Sequence, residues 1–450
     1  MKFKHKLGNI CLTVGLILMV LTSIGLSAYI WGSDSRFSRI EQTSNQSPTK
    51  KDVGQKSLRE IYIPTKLFYY RNSQLYQVYA GQVNLPLQFS KMTQPLEKNT
   101  PIKVTKDKTY YNNLLKNQSY IQLTYPDQIT ISLFLTKLKK ANNGEFNRIF
   151  VPVDTTEKYL YLGNDKDYTV YKVAIGKVKF DKFYKQIRKA KSQVPVALHR
   201  LSDAYLPFYE KETQLPNYSY LTDQESDSYF VYRLLGTGSI NQRNSSASIT
   251  YSNGVYERLI AAKKSHNYEY VNYNENKLPT SVTKKLSSSL SYIRKIGLSE
   301  PDLHFFDADN NTMIYQSFVE EYPVFFPGNY NTRAQIKFAK SGLKINFNSL
   351  NLQIPIPSNG SKTTLPATKV ALNSLIESGY AKKDISRIIV GYTVKADSDS
   401  SSRLVDLKPT YYAKIKGKWR SLKEWIDASP LNGSSAQAKS ESKEGLEDGL

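Results

Sequence analysis

Residues 282–297 read VTKKLSSSLSYIRKIG, and this stretch decides the fold class. Its apolar residues Val282, Leu286, Leu290, Ile293 and Ile296 advance by 4, 4, 3 and 3 positions, which places them on one face of a helix. Gly297 closes it, because glycine accepts the left-handed conformation that ends helices. The period then changes. Met313–Tyr322, Ala334–Ala339 and Leu343–Phe347 are rich in aromatic and β-branched residues and read as strands. The same order recurs downstream. A helix holding Leu372, Leu375 and Ile376 is closed by Gly379, and Ile385–Val394, Arg403–Leu407 and Thr410–Ile415 follow as strands. Helices followed by runs of antiparallel strands define an α+β protein, with sheets packed on helices.

Upstream the pattern is similar. Ile61-Tyr62-Ile63 reads as a short strand. Leu67–Tyr70 and Leu75–Tyr79 form a hairpin across Arg71-Asn72-Ser73, and Lys158–Leu162 and Tyr168–Val173 another across Gly163–Asp167. Phe180, Phe183, Tyr184 and Ile187 have helical spacing, with Lys182, Lys185, Arg188 and Lys189 elsewhere on the surface. That is a helix packed on a sheet with a solvated basic face, or else a membrane-surface helix.

The N-terminus is of another kind. Leu7–Trp31 is twenty-five residues without a charge, and a helix needs about 20 apolar residues to cross a bilayer. A signal peptide needs an apolar region of only about 7–15 residues. This run continues past the small residues of Gly25-Leu26-Ser27 through Tyr29, Ile30 and Trp31, so it reads as a retained anchor with an aromatic interface belt. Lys2, Lys4 and Lys6 favour a cytoplasmic stub. Within the span, Cys11, Gly15, Leu18, Thr22, Gly25 and Tyr29 advance by 4, 3, 4, 3 and 4 residues and fall on one line. Small residues on one face let a second helix approach closely, so these six are the candidate helix-docking face. We therefore expect a cytoplasmic stub (1–6), a transmembrane helix (7–31) and a flexible stalk (32–58). Beyond it we expect an N-terminal α+β ectodomain (59–205), a central mainly β part (206–279), a C-terminal α+β part (280–427) and a disordered acidic tail (428–450).

Composition narrows the function. The 34 tyrosines and 18 phenylalanines can build a core, and the one cysteine, Cys11, lies in the span, so there is no disulfide framework. The formal charge is +23. Outside a cell the matching polyanions are lipid headgroups and wall polymers rather than nucleic acid.

Catalytic and metal motifs fail. Asp307, Asp309 and Asn311 begin like a calcium loop, but its sixth and twelfth positions are Thr312 and Phe318, so a turn is expected. Gly236-Thr237-Gly238 begins like a dinucleotide fingerprint, but Asn241 replaces the third glycine, and a hairpin turn is expected. His199, His266 and His304 have no metal-ligand spacing. No elbow of the G-x-S-x-G type occurs. Glu320 and Glu321 are adjacent, so on a strand they would face opposite ways. No enzymatic activity, cofactor or metal is expected.

Several of these stretches together resemble the YycH family. They are the single N-terminal span, YIPTKLFYY at 62–70, EYPVFF at 321–326, and IIVGYTV at 388–394 leading to LKPTYYAKIKGKW at 407–419 and Trp425. The resemblance covers roughly residues 1–427 and rests on structural motifs, not catalytic ones. It implies a membrane-anchored extracytoplasmic accessory of the WalK/WalR (YycG/YycF) two-component system, which controls cell-wall metabolism in low-GC Gram-positive bacteria. The implied partners are the sensor kinase and a sister protein, YycI, with contacts partly through transmembrane helices. The basic excess and the acidic tail have no counterpart in what the resemblance implies.

Overall fold

The computed structural model describes residues 56–431, apart from 80–83, 139–142, 155, 191, 299, 329–330, 357–359 and 397–402, together with Gly15, Leu16, Met19, Val20, Thr22, Ser23 and Ile24. The chain divides into two units, 1–55 and 56–450. In the first, those seven residues are helical and exposed. Among the described residues no helix is long and apolar enough to cross a membrane. The expected span 7–31 lies largely outside them, as do the stub, nearly all of the stalk and the tail.

In the second unit the 282–297 signature folds as its pattern dictates. Helix Val282–Ile296 begins at Ser281, whose Oγ accepts from Lys284 N–H at 3.2 Å, and ends at Gly297 with φ 92°. It buries Leu286, Leu290, Ile293 and Ile296. Helix Thr368–Glu377 follows the same plan, with Gly379 at φ 93°.

Two large sheets carry the rest. One has nine antiparallel strands, from edge strand Ile102–Thr105 through the central Tyr120–Thr130, Lys66–Arg71 and Gln74–Tyr79 to Ala204–Tyr209. The other has fourteen strands and runs from Ile240–Asn244 to Leu350–Ile356. Strand Tyr218–Gln224, the strands from 240–272 and those from 303–356 and 385–421 share it, and Asn267–Asn272 pairs there with Gly342–Asn348. Tyr322–Phe325 beside Ile385–Ala396 is its parallel pair among the described residues. The sheets pack through common cores. One cluster joins Leu67, Ile121 and Phe146 to Leu286, Tyr315 and Ile345. A second joins Phe68, Tyr79 and Phe208 to Val324, Tyr392 and Leu407.

Four local expectations are corrected. Ile61-Tyr62-Ile63 is no strand: Ser57 and Glu60 form a capping box that starts helix Leu58–Ile61. The stretch 313–322 is two strands, because Glu320 and Glu321 take φ 48° and 71° and make a tight hairpin turn. Arg403–Leu407 and Thr410–Ile415 belong to one strand, Leu404–Ile415. Pro409 is tolerated there because Tyr218–Gln224 pairs only as far as Leu407 and Lys418–Ser421 only from Tyr412. Gly236 is not in a hairpin turn but ends helix Asp227–Leu235 at φ 82°.

Candidate functional site

A buried ionic seam lies where the two sheets meet, and each of three charges in it arrives by a β-bulge. Strand Tyr120–Thr130 shifts register against its partner between Thr124 and Ile129, and Asp127 lies in the displaced segment. Strand Leu303–Asp309 shifts between Phe305 and Asp307, and strand Ile385–Ala396 between Ile385 and Arg387. A bulge breaks the in–out alternation and re-aims a side chain.

The contacts of Asp127 with Ala308 and of Arg387 with Asp203 and Asp127 cross between the sheets, and those of Lys414 stay within the larger one. Asp127 Oδ2 accepts from Ala308 N–H at 3.0 Å, and its Oδ1 from Gln128 N–H at 2.8 Å. Arg387 Nη1 donates to Asp203 Oδ1 at 2.6 Å, and Arg387 Nη2 stands 3.9 Å from Asp127 Oδ1. Lys414 Nζ lies 2.7 Å from Asp307 Oδ2, which also accepts from Trp419 Nε1–H at 2.8 Å. Burial, then the charge of Asp307, pushes the Asp127 carboxyl up to about 7, although Arg387 and the Ala308 N–H pull the other way. Burial also lowers Lys66, on the wall of the same cavity, to about 8, with Glu321 opposing.

The cavity here is about 50 Å³, with Lys66, Thr124, Phe306, Asp307 and Trp419 in its wall. That is room for one or two waters at about 30 Å³ each, against about 300 Å³ or more for an ordinary ligand pocket. Chemically the seam joins two sheets through one carboxyl moved toward neutrality, Asp127, beside the Arg387–Asp203 ion pair. Beside it, Arg148 and Asp165 form a fully buried pair at 3.0 Å. Tyr111 Oη–H donates to Asp165 at 2.5 Å, Asn147 Nδ2–H and Tyr205 N–H each donate to it at 3.0 Å, and Arg148 also donates to Gln122 Oε1. Burial alone would raise the Asp165 carboxyl, but Arg148 and these hydrogen bonds hold it below the usual range.

The histidines are not brought together. His199 stacks on Phe208 with centroids 4.7 Å apart, and His266 sits in a turn at φ 53°. His304 Nδ1 lies 2.9 Å from Glu60 O, and burial with the charge of Lys56 lowers it to about 3. Among the described residues no three His, Cys, Asp or Glu side chains are grouped to hold a metal. The Asp309–Asn311 turn is present, with Asn310 at φ 52°, but Asp307 belongs to the seam. Of the candidate docking face, Cys11, Leu18, Gly25 and Tyr29 lie outside the described residues. Gly15 and Thr22 are helical; a Cβ on Gly15 would meet nothing within 4 Å, and Thr22 Oγ1 donates to Met19 O at 2.9 Å.

An α+β protein whose two large sheets are joined by shared cores and by the Arg387 and Asp127 contacts is thus the class defined by fold and seam. The family model for the YycH protein N-terminal domain matches residues 10–192, and that for the YycH protein C-terminal domain matches residues 202–427. The chain belongs to the YycH family. A solved structure, the crystal structure of YycH from Bacillus subtilis, superposes with a TM-score of 0.65 at 15% identity, over 82% of this chain and 97% of that one. No curated protein sequence matches the chain. Membership implies a membrane-associated regulatory accessory of the WalK two-component system, from a family not known for enzymes.

Proposed function

We propose that this chain is a non-enzymatic, membrane-anchored accessory regulator of a WalK (YycG)-like sensor histidine kinase that controls cell-wall metabolism, working with a YycI-like partner. The observation that carries this reading is the YycH match across both halves of the chain. In it, residues 7–31 anchor the protein as a single pass, with the N-terminus cytoplasmic and the ectodomain outside. Parts 59–205, 206–279 and 280–427 dock protein, the last two acting together through their common sheet. The face of Cys11, Gly15, Leu18, Thr22, Gly25 and Tyr29 packs on a kinase or YycI helix. An accessory shifts a two-state kinase only by its differential affinity for the two states. A difference of about 1.4 kcal/mol is a tenfold shift. Photo-crosslinkers placed along the anchor and the ectodomain in living cells test this. The kinase or the YycI-like protein should be captured, and deletion should change output of the two-component system. Capture of neither, with unchanged output, refutes the reading.

A second contact, with anionic wall polymer, is favoured by exposed Lys182, Lys185, Arg188 and Lys189 on helix Asp181–Lys189. A wall-hydrolysing alternative has its own test. Purified protein that released soluble fragments from peptidoglycan, and lost this with one carboxylate substitution, would be an enzyme.

A further inference from the structure

One end of the larger sheet closes in turns that carry exposed apolar side chains. Strands Ser248–Asn253 and Glu257–Ala262 are joined through Gly254, Val255 and Tyr256, with Gly254 at φ 61°. Turns are ordinarily built from Gly, Asn, Asp and Ser. Here Val255 is 82% exposed at the tip and Tyr256 55%. Tyr273, 40% exposed, lies beside them: its N–H donates to Tyr256 O at 2.9 Å. The next turn belongs to the same end, since a Cβ on Gly342 would stand 3.0 Å from Tyr273 Cα. None of Val255, Tyr256 and Tyr273 belongs to a core cluster, so the fold does not use their apolar surface.

Cations line the sheet face next to this tip, and the strand register places them. Arg258 stands opposite Val271, Val271 opposite Lys344, and Lys344 opposite Lys337. Residues directly opposite share a face, and like charges so placed destabilise a sheet. Lys337 and Lys344 are such a pair. Lys340, in the turn itself, is exposed as well. The acids nearby are engaged. Glu269 pairs with Lys344 at 2.7 Å, and Glu257 accepts from Tyr270 Oη at 2.9 Å and Asn272 Nδ2 at 2.7 Å. Glu275 stands against Tyr292. Among the described residues Arg258, Lys337 and Lys340 enter no ion pair; Arg258 lies over the Tyr273 ring, 5.9 Å from its centroid.

We propose that this end of the sheet docks on an anionic lipid bilayer, with Val255, Tyr256 and Tyr273 in the interfacial layer and Arg258, Lys337 and Lys340 on the lipid phosphates. Tyrosine is enriched at headgroup level, where its ring is apolar and its hydroxyl wet. Cations there gain from the negative surface potential of the lipid. A soluble polyanion would use the cations and leave Val255 without a role. The inference rests on the membrane association of the family and adds a contact made by the folded body.

The test is hydrogen–deuterium exchange on the full chain in nanodiscs, of phosphatidylcholine alone or with an equal part of phosphatidylglycerol. Amides of 254–258 and 273–277 should exchange more slowly in the anionic discs by about fivefold or more, the worth of one cation at an anionic surface. Helix Val282–Ile296 should exchange alike in both. Val255→Asp, and separately Arg258→Gln with Lys337→Gln, should abolish the protection. All three side chains are exposed, so these variants keep the parental unfolding temperature. If one does not, the parent decides, because its protection should fall as salt screens the cations. A chain that does not stay in the discs refutes the anchor and not the tip. It is then sedimented with vesicles of both compositions, and pelleting with the anionic ones alone is expected. Equal protection in both discs, protection by soluble polyphosphate without lipid, indifference to Val255→Asp, or pelleting with neither vesicle overturns the proposal.

Discussion

Asp127 is held at 3.0 Å by an N–H from the other sheet, at a point where its own strand bulges, and its carboxyl titrates near 7. An unfolded aspartate titrates near about 3.9. With the folded pKa above the unfolded one, the stabilising contribution is full below about 3.9 and is lost as pH rises to about 7. Asp127→Asn keeps an oxygen for the Ala308 N–H and removes the charge. Its stability relative to the parent should climb between pH 4 and pH 7, by on the order of 2–4 kcal/mol, and then level off. Thermal unfolding across that range checks it, and a variant that loses stability relative to the parent as pH rises would be the wrong sign. Arg148→Met should behave differently: it strands Asp165 with no cation at any neutral pH, and should cost about 3–5 kcal/mol in urea unfolding. Neither node was legible beforehand. Asp127 and Ala308 are 181 positions apart, and Arg148 looks like any strand arginine until Asp165 meets it. The nearest local signal was Pro126-Asp127, a turn-like dipeptide inside an apolar run.

Elements with their own stop signals could be read, and those set by competition could not. Helix Val282–Ile296 has a periodic face, a serine cap and a terminal glycine, all local. The helix at Leu58–Ile61 won over a β-rich triplet because its capping box sits just upstream. The seam's bulges left no trace, since a displaced segment does not alter composition. Gly391, in the IIVGYTV stretch, marks an approach between elements that sequence could only mark as a resemblance. A Cβ there would come 2.6 Å from Phe325 Cε2 and 2.9 Å from Pro323 O. The Phe325 ring has no room to yield, being stacked on Tyr412 with centroids 3.5 Å apart. Gly391→Ala should therefore cost about 1–3 kcal/mol through overpacking. Gly236→Ala meets no atom within 4 Å, but at φ 82° and ψ −157° it holds a conformation essentially reserved for glycine, and should also cost about 1–3 kcal/mol, through the backbone alone. Urea midpoints of both variants should fall below the parent's; an unchanged midpoint for Gly391→Ala would mean that the parallel pair is loosely packed.

At the scale of the molecule, the two large sheets share their cores, which packs the described residues of 56–431 into one body. Whether regulation also runs through the proposed anchor, residues 7–31, would be decided in the membrane, where packing rather than the hydrophobic effect drives helix association. Gly15→Leu with Gly25→Leu adds bulk to the proposed docking face and keeps ample hydrophobicity for insertion. A Cβ on Gly15 would meet nothing within 4 Å among the described residues. The double variant should stay at the membrane in parental amount, lose crosslinking to the kinase or YycI-like helix, and change reporter output. Thr13→Leu and Val20→Leu are the controls, since both lie about 160–180° from the centre of that face by the helical rotation of about 100° per residue. They add comparable bulk away from the seam of contact and should leave both readouts alone. If the double glycine variant also leaves crosslinking and output unchanged, residues 7–31 serve as a tether, and the two-sheet body alone carries the regulation.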